Sequence, residues 1–71
     1  MITIESLYEG LRFKDDIYIY ELRDRDIDSF AILNITAGRI LGRSYFNHII
    51  EILASTNYIV IKEKLTYKEE L

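Results

Sequence analysis

The chain has 71 residues, 49% hydrophobic and 30% charged, with a formal net charge of −3, one histidine and no cysteine or proline. This composition excludes the weakly hydrophobic, highly charged regime of disordered chains, and the missing cysteines exclude disulfides and thiolate metal sites. A domain this short buries only about 60% of the surface its unfolded chain exposes, so self-association or a partner chain is the expected source of extra stability.

No apolar run approaches the roughly 20 residues of a membrane helix, and Met1 to Glu5 carries neither a basic region nor a cleavage pattern. The expectation is a cytoplasmic protein with no membrane association. With no repeat, low-complexity tract or linker, residues 1–71 read as a single domain.

In chain order, Leu7, Tyr8 and Leu11 fall at helical spacing, which suggests a short N-terminal helix within residues 4–12, weakened by Gly10. Residues 16–23 then read as a strand, because Ile17, Tyr18, Ile19, Tyr20 and Leu22 are β-branched, aromatic or aliphatic between two charged pairs. Both of its faces are largely apolar, which places it centrally or covered on both sides. The run Asp24, Arg25, Asp26, Ile27, Asp28 reads as a turn in which aspartates bond nearby backbone. It lacks the glycine and terminal glutamate of a calcium loop, and its arginine would repel a cation.

Residues 29–36 favour a strand through Ile32, Ile35 and Thr36, with residues 24–28 as the loop of a hairpin. The alternative is a helix from an Asp28 or Ser29 cap to Leu41, which would have to absorb Gly38. Residues 44–55 form the clearest helix, with Tyr45, Phe46, Ile49, Ile50, Ile52 and Leu53 on one face, Ser44 as its cap, and Thr56 and Asn57 at its end. A last strand follows over residues 58–64. The predicted fold class is α+β: a small antiparallel sheet with one amphipathic helix packed on it.

No phosphate loop, nucleophile elbow or His-Glu-x-x-His motif is present, so no catalytic residue, metal site, cofactor or small-molecule substrate is expected. His48 and Glu51, one helical turn apart, read as a surface pair. Charge is uneven, with acids concentrated in residues 1–31 and a mildly basic stretch in residues 32–64.

Two surfaces follow. Tyr18, Tyr20, Arg23, Asp24, Arg25, Asp26 and Asp28 combine the residue types favoured at interface centres with the acidic loop, and suggest docking on a larger protein partner. Arg39, Arg43, Ser44, Asn47 and His48, followed by Lys62 and Lys64, combine base-reading and phosphate-binding types on and after the main helix. A helix running into Asn57, Tyr58, Ile59, Val60, Ile61 and Lys62 resembles the recognition helix and first wing strand of winged-helix DNA-binding domains, over about a third of the chain. That resemblance implies a DNA-binding regulator. The leading expectation is a non-catalytic regulatory or inhibitory module that binds a protein partner or itself, with DNA binding as the alternative.

Overall fold

A computed structural model describes residues 2–55 and 57–61. Five strands, β1 (Arg12–Lys14), β2 (Ile19–Arg23), β3 (Ser29–Asn34), β4 (Arg39–Tyr45) and β5 (Ile59–Ile61), form one antiparallel sheet in the order β4-β3-β2-β1-β5. One helix, α1 (Phe46–Ala54), lies against one face. The predicted α+β class is the observed one, and β2 sits at the centre of the sheet as its apolar faces require.

Local chemistry explains two of the turns. Between β1 and β2, the Asp15 carboxylate accepts bonds from the Ile17 and Tyr18 amides at 2.8 and 2.7 Å, which closes the turn without glycine. Between β3 and β4, the Asn34 side chain accepts the Ala37 amide at 2.9 Å, and its carbonyl takes the Gly38 amide at 2.8 Å. Gly38 has φ +72, a left-handed conformation that glycine adopts at little cost.

The core lies between the sheet and α1. Phe13, Leu22, Phe30 and Ile32 point from the strands, Phe46, Ile49 and Leu53 from the helix, and Leu7 and Leu11 seal one side. Alternation along each strand sends these residues one way and their neighbours the other. Phe13 stacks on Tyr20 with ring centroids 5.2 Å apart, and Phe30 meets Phe46 at 5.4 Å. Arg25 lies over both of those last rings, 5.7 and 5.1 Å from their centroids.

Several boundaries differ from the sequence expectation. The N-terminal helix reduces to a single 3-10 turn, Ile4–Ser6, held by reciprocal bonding between Thr3 and Ser6. Gly10 then takes φ +99, and the chain goes on to β1. Residues 28–41 resolve in favour of the hairpin, so no helix precedes α1 in the way a helix-turn-helix pair requires. Ser44 is not a helix cap: it and Tyr45 belong to β4, Tyr45 occupies the cap position with no side-chain cap bond, and α1 starts at Phe46, whose amide bonds the Asp28 carbonyl at 2.9 Å. Ile17 lies in the turn and is 71% exposed rather than part of β2. Of the predicted strand 58–64, residues 59–61 form β5, and Lys62 and Lys64 lie outside the described residues. Among the described residues no helix is long and apolar enough to cross a membrane.

Candidate functional site

The helix covers one face of the sheet, and the register fixes what the other face presents. Its central row runs Ile40, Leu33, Glu21, Arg12, Ile61 across all five strands. A second row is Arg43, Ala31, Arg23, and a third holds Ile19, Lys14 and Ile59. Tyr45 stands opposite Ser29 at the end of β4.

At the centre of this open face, Glu21 is only 7% exposed although, among the described residues, no helix or strand lies over it. Two arginines enclose it: Arg12 Nε donates to one carboxylate oxygen at 2.9 Å and Arg23 Nε to the other at 2.5 Å. Burial alone would raise the Glu21 pKa, but the hydrogen bonds from Arg23 and Arg12 outweigh it and hold the carboxyl below its ordinary value.

Toward β4 the face dips into a hollow of about 310 Å³, with Ala31, Leu33 and Ile40 as its apolar lining and Glu9, Arg23 and Asp24 as its charged rim. Arg43 closes the nearby loop. Its guanidinium donates to Ser29 Oγ at 2.8 Å, to Asp24 Oδ2 at 2.7 Å and to the Asp24 carbonyl. Asp24, with φ +52, also donates its amide to the Glu9 carboxylate, 2.8 Å away. Aspartate tolerates this left-handed conformation better than most side chains, which suits the strand-to-loop corner.

Three large apolar side chains on or beside β4 remain in water: Ile40 at 70%, Tyr45 at 68% and Leu41 at 58% exposure. A bulge between Ile32 and Leu33, with Gly42 at φ +135, makes Leu41 the extra residue of β4.

The structure divides both sets of sequence-predicted residues. Arg23 and Asp24 lie together beside the hollow, where Arg43 of the other set joins them. Tyr18 and Tyr20 lie toward the opposite end of β2. Tyr20 faces the core among Phe13 and Tyr58 and donates its hydroxyl to Asp15 at 3.0 Å; burial, then that bond, pushes its pKa up to about 12. The same Asp15 is held below its ordinary pKa by the Tyr18 and Ile17 amides. Tyr18 packs edge-on to Tyr20. Arg25 is spent on the core rings, Asp26 accepts the Ile27 amide at 2.8 Å, and Asp28 supplies the carbonyl that holds the start of α1.

Of the proposed nucleic-acid set, Asn47 and His48 are exposed on α1, whereas Arg39, Arg43 and Ser44 belong to β4. His48 Nδ1 stands 3.9 Å from Glu51, so that pair is a surface one as its spacing implies. Sequence reasoning passes over Ala31, Leu33, Ile40 and Tyr45 as site residues. The signal is present in Phe30, Ala31, Ile32 and Leu33, where apolar residues occupy both parities of one strand.

A larger hollow of about 690 Å³ lies beyond the β1 to β2 turn, lined by Lys14, Asp15, Asp16, Ile17, Asn57 and Ile59. Its lining is mainly polar, and Asp15 is already engaged by two amides. Among the described residues no three histidine or carboxylate side chains come together as a metal-binding group. Comparison with protein-family models, with curated proteins and with solved structures finds no match.

Proposed function

We propose that this chain is a non-catalytic docking module that acts by occupying a larger protein partner through the open face of its sheet. The observation that carries this reading is the exposed apolar surface of β4 beside the Ala31, Leu33 and Ile40 hollow, ringed by charged groups already held in place by one another. An apolar centre with a polar, hydrogen-bonded rim is the usual anatomy of a protein interface. Side chains fixed before binding lose less entropy on docking.

The face favours protein over nucleic acid. Sheet surfaces that bind single strands use several exposed aromatics as stacking platforms, whereas Tyr45 is the one aromatic on the described open face. Arg12, Arg23 and Arg43 are engaged with carboxylates, so their charge is partly neutralised before any phosphate approaches.

Photo-crosslinking tests this reading. A benzoyl-phenylalanine at position 40 is expected to capture a discrete protein in the cells that produce the chain, and Tyr45→Asp to reduce that capture. The same label at His48, on the outer side of α1, should capture none. Equal capture from both positions sinks the proposal. Salt-sensitive binding to random duplex DNA, lost on substitution of Asn47 and His48, would establish the helix-based alternative in its place.

A further inference from the structure

We infer that the partner presents an acidic, extended segment that adds to the sheet as a sixth strand along β4. This rests on the docking reading above and names the chemistry of its partner.

Three observations lead there. First, among the described residues β4 pairs with β3 alone, and seven residues at about 3.3 Å each give an edge of about 23 Å. An unpaired edge carries a row of amides and carbonyls suited to another strand. The other edge, β5, is described over three residues. Secondly, β4 is held rigid. Arg43 ties it to Asp24 and Ser29, and the Phe46 amide ties its end to the Asp28 carbonyl. Thirdly, β4 carries no acid, and of its two arginines Arg43 is paired with Asp24 while Arg39 is exposed.

That last point decides between two occupants. A second copy pairing edge to edge brings no acid to Arg39, only the like charges of its own β4, and like charges on neighbouring strands repel. The bulge at Leu41 and Gly42 also interrupts the long flat ladder that self-pairing needs. An acidic strand meets Arg39 with opposite charge: Arg39 stands on the α1 side of the edge, Ile40 and Tyr45 on the open side, and Arg43 is already paired with Asp24. Alternation sends its apolar side chains toward Ile40, Tyr45 and the hollow. The chain's own net charge of −3 opposes such a partner at long range, so the attraction is local to this edge.

The test uses the whole chain with three capped hexapeptides: (Glu-Val)3, (Lys-Val)3, and (Glu-Val)3 N-methylated on alternate amides. Amide hydrogen exchange is followed by NMR with millimolar peptide. The expected result is at least fivefold slower exchange at alternate β4 amides, those turned away from β3, with the glutamate peptide alone. Arg39→Glu, an exposed substitution, should weaken that peptide about fivefold, since it replaces an attraction across strands by a repulsion. No slowed amide in β4, or equal slowing by the lysine peptide, overturns the inference, as does a light-scattering mass showing that the chain alone is a dimer dissociated by Ile40→Asp. A protein captured at position 40 with β4 amides unmoved by the glutamate peptide sinks strand addition while leaving the docking module in place. A protected edge with no captured protein does the reverse.

Discussion

The two faces of the sheet are built from the same strands and differ by one residue of register. Phe13, Leu22, Phe30 and Ile32 point to α1 and are buried, whereas Arg12, Glu21, Ala31 and Leu33, their immediate neighbours, point away from it. One helix of nine residues can cover one face. The other face is covered in part by its own side chains: two arginine stems folded over a glutamate at the centre, and exposed aliphatic and tyrosine groups toward β4. The first face stabilises by excluding water. The second keeps apolar surface in water that a fold optimised for stability alone would have replaced.

The largest expected effects separate these faces. Leu22→Ala should cost about 2–5 kcal/mol, because Leu22 is fully buried and its removal leaves a cavity beneath α1. In a chain this small such a loss approaches the whole stability. Ile49→Asp, which buries an unpaired charge at a position with 0% exposure, should abolish folding. Ile40→Asp on the open face should change stability by no more than about 0.5 kcal/mol. Thermal and urea melts of the three variants check the comparison, and comparable losses at Ile40 and Leu22 would show that the open face is covered in solution.

The Glu21 trio offers a smaller test from the open side. Removing the carboxylate in Glu21→Ala leaves two arginines facing each other, and the loss should be about 1 kcal/mol because both guanidinium groups remain partly in water. The pH dependence follows in sign. Glu21 has a folded pKa below its ordinary value of 4.5, so its contribution is present above pH 4.5 and is lost as pH falls through the lower folded value. Acid melts of Glu21→Gln should therefore fall less steeply below pH 4.5 than those of the parent chain.

The covered face has its own titration. Tyr20, with its pKa pushed up to about 12, stabilises the fold fully below pH 10, and that contribution is lost as pH rises through 12. Tyrosinate absorbance should show a late step that vanishes in Tyr20→Phe; an unchanged titration curve in that variant would remove the Tyr20 to Asp15 bond from the account.

How far the sequence reveals all this depends on whether the cause is local. β2 and α1 are legible because composition and period speak within a few residues: alternating Ile and Tyr, and an apolar stripe at helical spacing. β4 is not. Gly38 and Gly42 read as loop punctuation, yet one is a turn and the other a bulge inside a strand, and Ser44 and Tyr45 continue the helical period backward into residues that β3 holds extended. β1 is three residues long and carries one apolar side chain. At the site, Arg23, Asp24 and Arg43 each stand out in the sequence but fall to different surfaces. Their meeting is made by the β2 to β3 to β4 register, which no local pattern encodes.

The smallest effect concerns the corner where those three residues meet. Asp24 has two roles there: a left-handed φ of +52 and a carboxylate bonded to Arg43, with its side chain 81% exposed. Asparagine at this position would keep the conformational tolerance and lose the charge, whereas alanine would lose both. An exposed ion pair contributes about 0–1 kcal/mol, and Arg43 keeps its bonds to Ser29 and to the backbone carbonyl of position 24 in either variant. Asp24→Asn should thus cost less than about 0.5 kcal/mol and Asp24→Ala about 1 kcal/mol more, the difference measuring the backbone. Equal losses in urea melts at low salt, both erased at high salt, would assign the corner to charge. In that case the rim of the hollow would be held by electrostatics that a charged partner could displace on docking.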